Sequence, residues 1–141
     1  MIELALSAED LHSTRFAYSP LVELATSYRV LKDADLQPHV DRWEEAAVRS
    51  LHGLEFPYLE MLIPGCGYVP DFLTPTPTRT DLTIEGELQK LLNMPTSIIQ
   101  ASMQTMIARL GDSEDRQQYL IYPHEMIACL VEDLRLYWQR A

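Results

Sequence analysis

Cysteine is scarce in this chain. Cys66 and Cys129 stand far apart and form no C-x-x-C pair. Two lone thiols in an acidic chain fit a reducing cytosol, so a cytoplasmic location is expected. His12, His39, His52 and His124 make no H-E-x-x-H and no pair four residues apart, so surface histidines and structural thiols are expected rather than a metal site. Basic residues are also few: 11 Lys and Arg against 21 Asp and Glu give a net charge of −10. They are scattered one or two at a time. That balance disfavours direct nucleic-acid binding, which needs a basic face to displace counterions. It disfavours anionic membrane surfaces for the same reason. No apolar run approaches the roughly 20 residues of a membrane span, and Met1-Ile2-Glu3-Leu4 has no basic n-region of a signal peptide. G-x-S-x-G, P-loop and G-x-G-x-x-G patterns are absent, which removes the nucleophile-elbow and phosphate-cradle chemistries. Asp33, Asp35, Asp41, Glu44 and Glu45 could supply an acid/base pair, but a charge run at a helix start reads as a solvated face. No catalytic residue and no cofactor is expected.

What is present is a hydrophobic content of 47% over 141 residues. That is enough for one domain, residues 1–141, with its own core. The most informative stretch runs from Gly67 through Tyr68, Val69, Pro70, Asp71, Phe72, Leu73, Thr74, Pro75, Thr76 and Pro77 to Thr78. Its three prolines fix φ and bias each preceding residue toward extended conformations. Its aromatic and aliphatic side chains gain from burial, whereas a disordered linker would be polar. The stretch is expected to be an extended strap pressed onto a globular body, with Phe72 buried.

Elsewhere the pattern is helical. Ile2, Leu4 and Leu6 alternate with Glu3 and Ala5, which predicts a short strand. Its expected partners are residues 118–122, a second protomer or a further part of the protein. Ser7 with Glu9 and Asp10 marks a helix start. Ser19-Pro20 opens a second helix with a stripe at Leu21, Leu24, Ala25, Tyr28 and Leu31. Pro38 opens a third, with Val40, Trp43, Ala47 and Leu51 on one face and Gly53 as its stop. Pro57 and Pro64 bracket a short helix, and Thr83 caps another with Ile84, Leu88, Leu91 and Leu92 inward. Ser97 with Gln100 makes a capping-box pattern before the stripe Ile99, Met103, Met106, Ile107 and Leu110, which Gly111 stops. Residues 111–117 read as a charged loop. Pro123 opens the last helix, with a stripe at Ile127, Leu130, Val131, Leu134 and Trp138 widened by Met126 and Tyr137. The expected fold is mainly α, about six helices around a single core, with a short N-terminal strand and the Pro/aromatic strap.

The last helix shows no stop signal, which makes Ala141 read as a boundary within a longer protein. Part of its wide apolar stripe is then expected to meet a partner, with Tyr137 and Trp138 at the interface. The aromatics of the first half allow two readings. They form an ordinary core with tyrosine hydroxyls at its rim, or they line a pocket made of Arg15, Phe16, Arg29, Trp43, Tyr68 and Phe72, with an arginine as polar anchor.

Three segments together carry a resemblance: Phe16-Ala17-Tyr18-Ser19-Pro20-Leu21-Val22-Glu23-Leu24, then Tyr28-Arg29-Val30-Leu31-Lys32-Asp33, then the strap followed by Glu85-x-Glu87-Leu88. This order resembles the N-terminal region of ArsR-like winged-helix transcriptional regulators of actinobacteria and firmicutes. There an N-terminal module of uncharacterised function precedes a C-terminal winged helix-turn-helix. The resemblance spans nearly the whole chain. The winged helix is absent, and so is the E-L-C-V-C-D-like box of the small metal sensors, so metal sensing does not carry over. The resemblance implies a non-catalytic effector-sensing or dimerisation domain. Its partners would be a second copy or a C-terminal winged-helix domain, with a small-molecule effector. The rival expectation is a small-molecule-binding protein or enzyme using an aromatic-lined pocket in residues 15–75.

Overall fold

The computed structural model describes residues 2–13, 18–32, 41–64, 67–77 and 81–141, without the side chains of residues 11, 13 and 41–44. Arg15, Phe16, Cys66 and the expected helix start at Pro38 lie outside the described residues, as does the Trp43 side chain. Within them the chain is mainly α. The helices are α1 (Ala8–Ser13), α2 (Pro20–Lys32), α3 (Asp41–Leu51), α4 (Pro57–Leu62), α5 (Ile84–Leu92), α6 (Thr96–Leu110), α7 (Glu114–Ile121) and α8 (Pro123–Arg140).

Helix α8 is the hub. It packs against α2, α3, α4, α5, α6 and α7. Its apolar stripe meets these neighbours, while His124, Glu125, Ala128 and Glu132 on the opposite face stay exposed. Ile127, Leu130, Val131, Leu134 and Tyr137 are accordingly buried to within about 1%. The wide stripe expected to meet a partner is therefore covered by the chain's own helices. Of that set Met126 is half-buried and Trp138 stays open, at 38% exposure. An edge-to-face trio of Tyr28, Phe56 and Tyr137, with ring centroids 5.4 to 6.3 Å apart, joins α2 and the start of α4 to α8. Across the surface, the Arg135 guanidinium makes a two-pronged contact with Glu85 of α5 at 2.9 and 3.1 Å.

Three expectations are corrected. Residues 2–7 have no regular structure, and the described residues contain no strand. Ile2, Leu4 and Leu6 are exposed. A strand needs a partner edge, and the partner expected within this chain, residues 118–122, is the last turn of α7 and its cap. The charged loop at 111–117 is mostly the start of α7. Ser113 accepts a hydrogen bond from the Arg116 N–H at 3.2 Å, and Glu114 and Asp115 fill the first turn. This is the same cap-and-acids signal read correctly at Ser7. Helix α7 stops at Tyr122 because Pro123 drives the preceding residue out of helical geometry, here φ −124° and ψ 60°. Finally, α6 begins two residues early, at Thr96 behind Pro95. Gln100 closes no capping box and instead donates to the Leu120 carbonyl of α7 at 3.1 Å.

The strap holds. Phe72 is 3% exposed and Leu73 is fully buried. It is not extended throughout, because Asp71–Leu73 tightens into a 3-10 turn with Leu73 and Thr74 N–H groups bonded to the Pro70 and Asp71 carbonyls. Gly67 leads into it at φ +93°, and an added Cβ there would sit 3.0 Å from Leu110 of α6.

Candidate functional site

Helix α2 presents two stripes. Leu21, Leu24, Ala25 and Tyr28 face the core. Glu23, Thr26, Ser27 and Val30, at i, i+3, i+4 and i+7, share a second face. Where α2 passes the C-terminal end of α8, this second face forms one wall of a cavity of about 450 Å³. Tyr137, Trp138 and Ala141 form the other wall, and Tyr18, just ahead of α2, contributes a third edge.

The floor is fixed by hydrogen bonds. The Ser27 hydroxyl donates to the Leu24 carbonyl at 2.8 Å and stands 2.9 Å from the Tyr137 hydroxyl. Burial pushes the Tyr137 hydroxyl pKa up, and the Ser27 contact works against that rise. Tyr18 and Trp138 are 51% and 38% exposed, so aromatic surface faces the opening. Glu23 is the one charged side chain among the described lining residues. It makes no ion pair among the described residues.

No protein-family model, curated protein or solved structure matches the chain.

A second, smaller cavity of about 110 Å³ lies under the strap, between Phe72, Pro75 and Pro77 on one side and Leu21, Glu87 and Leu91 on the other. Glu87 is only 3% exposed. Its carboxylate accepts from the Ser19 hydroxyl and from the Leu21 N–H, both at 2.7 Å. It therefore caps α2 from α5, and its charge is spent on that cap.

The described members of the expected aromatic pocket, Arg29, Tyr68 and Phe72, do not share a cavity. Phe72 lines the small strap cavity. Arg29 sits half-buried on α2 and lines neither cavity. Tyr68 packs toward α6, its ring 5.0 Å beneath the Arg109 guanidinium. The Tyr68 hydroxyl is buried near Ser102 and Asp71 without a well-formed hydrogen bond, and burial raises its pKa. Tyr137, expected at an interface, is core except where it floors the larger cavity, while Trp138 stands at the rim. Sequence reasoning missed Glu23, Thr26 and Val30. The signal was there as a second face on α2, masked by the stronger core stripe two residues out of phase.

A polar knot joins α2 to α4. The Tyr28 hydroxyl donates to Glu60. Lys32 Nζ lies 2.7 Å from the other Glu60 oxygen and donates to the Ile63 carbonyl, also at 2.7 Å. Burial raises the Glu60 carboxyl pKa, but Lys32 and Tyr28 outweigh it and the net shift is downward. The Tyr28 hydroxyl is pushed far up by burial and by Glu60. These contacts clasp α2 to α4. No group of three or more metal-ligating side chains occurs among the described residues. No helix among them is long and apolar enough to cross a membrane.

Proposed function

We propose that this chain is a non-catalytic regulatory module of an ArsR-like winged-helix transcriptional regulator, acting in the cytoplasm, and that the groove between α2 and α8 receives its effector. One observation carries the reading. Two of the segments that together carry the resemblance to that family, Phe16–Leu24 and Tyr28–Asp33, have their described parts, Tyr18–Leu24 and Tyr28–Lys32, in or just ahead of α2, one wall of the larger cavity. The cavity volume of about 450 Å³ suits a small molecule rather than a helix or strand. The net charge of −10 assigns DNA contact to another part of the regulator.

The test begins with the reading frame after the Ala141 codon. A winged helix-turn-helix there supports the proposal. The joined protein should then retard DNA from its own upstream region in a gel shift, while the 141-residue chain alone should not. An adjacent frame with no DNA-binding domain, or sequence-specific retardation by the short chain itself, would overturn it. Self-association is the second role the resemblance implies. Trp138, at the rim of the groove, is the residue through which it would occur. Light scattering of the wild type against Trp138→Glu measures it.

A further inference from the structure

We infer that the α2–α8 groove selects a lipophilic organic cation. This rests on the reading of the groove as an effector site and adds the ligand's chemical class. Three observations converge. The described walls are mostly apolar, from Leu24, Val30 and the rings of Tyr137 and Trp138. Two aromatic side chains, Tyr18 and Trp138, keep substantial exposed surface at the opening. Ring faces carry the negative part of the aromatic quadrupole and attract a cation that has shed its water. The charged side chain in the lining is a carboxylate, Glu23, with no ion pair of its own among the described residues.

Three other carboxylates of the fold are already engaged. Glu60 is engaged by Lys32, Glu85 by Arg135, and Glu87 by a helix start. A neutral ligand would leave Glu23 unused at the mouth of an apolar cavity, and an anion would be repelled by it and by the net charge of −10. A hydrophobic cation places its charge beside Glu23 and its apolar body between the aromatic rings.

The experiment uses two probes of nearly the same shape and opposite charge, tetraphenylphosphonium and tetraphenylborate. Titration calorimetry on the whole chain should show one saturable site for the phosphonium and none for the borate. Glu23→Gln and Trp138→Leu should each weaken the phosphonium by roughly three- to tenfold. Glu125→Gln, which removes an equal charge at the start of α8, should change it by less than about twofold. Both groove side chains are solvent-accessible, so the variants should melt as the wild type does, and circular dichroism checks this. If melting shifts, chemical-shift changes confined to Tyr18, Val30 and Trp138 of the wild type on phosphonium addition provide the second readout. Equal weakening by Glu125→Gln would reduce the effect to net charge and overturn the inference. Borate binding that is sensitive to Trp138→Leu would overturn the charge preference and leave an effector groove standing. Binding of neither ion would overturn the site. The reading frame after Ala141 decides the regulator assignment separately from all of these.

Discussion

The starts of α2 and α4 look alike in sequence and differ in what satisfies them. Each has a proline in the first helical position, Pro20 and Pro57, which costs no hydrogen bond because that N–H would be free in any case. Both still leave N–H groups in the first turn that need acceptors. At α2, Ser19 caps the Val22 N–H itself at 3.2 Å, and Glu87 reaches from α5 to take the Leu21 N–H. At α4 the preceding residue is Phe56, which has no polar side chain to offer. There Asp133 of α8 takes both groups, the Tyr58 N–H at 2.8 Å and the Leu59 N–H at 3.2 Å. The first cap is shared between a near and a distant residue and lies buried under the strap. The second is wholly borrowed and half-open to water. Local chemistry can begin a helix, whereas a borrowed carboxylate also fixes where that helix sits against its neighbour.

The strongest way to break the comparison is to remove the cover from the α2 cap. Phe72 is buried and lines the small cavity beside Leu21 and Glu87. Phe72→Ala should cost about 3–5 kcal/mol in chemical denaturation. An unchanged midpoint would mean that the strap only tethers. Removing the cap itself comes next. Glu87→Ala strands the Ser19 hydroxyl and the Leu21 N–H in a buried site and should cost about 2–4 kcal/mol. The same change at α4 should cost less. Asp133→Ala frees the Tyr58 and Leu59 N–H groups at a half-buried rather than a buried cap, so about 1–2 kcal/mol is expected from the same denaturation series. If Asp133→Ala proves the more damaging of the two, burial does not set the rank.

The smallest effect is a pH dependence. Burial raises the Asp133 carboxyl above its ordinary 3.8, with the Leu59 and Tyr58 N–H groups pulling it back only in part. A folded-state pKa above the unfolded one gives a contribution that is complete below the unfolded value and is lost as pH rises through the folded one. Wild-type stability should therefore fall relative to Asp133→Asn as pH is raised from the ordinary aspartate value upward. Melting curves of the two proteins across that window test the sign. A wild type that gains on the asparagine variant as pH rises would show that the two N–H bonds outweigh burial.

Much of the fold was legible from residue order. The Ser19-Pro20 start, the stripes of α2, α6 and α8, and the burial of Phe72 follow from cap chemistry, 3.6-residue spacing and the cost of exposing aromatics. The N-terminal strand was misread because Ile2, Leu4 and Leu6 alternate as a strand does, yet periodicity cannot supply the second edge that a strand requires. Helix α7 was missed although Ser113 carried its signal, because a run of charged residues resembles a loop. The groove was only half legible. Trp138 was read as an interface residue at the end of its stripe, but the second face of α2 was hidden beneath the stronger one.

By itself, then, the sequence determined the helical class, the positions of most helices, the acidic surface and the anchored strap. These depend on neighbours within a turn or two of the chain, where spacing and caps act. Tertiary structure decided that α8 packs against six other helices, that Glu87 and Asp133 serve helices 66 to 75 residues away, and that Glu23 and Trp138 face one cavity. Such pairings join groups far apart in the chain, and only packing brings them within reach of a hydrogen bond or a shared ligand.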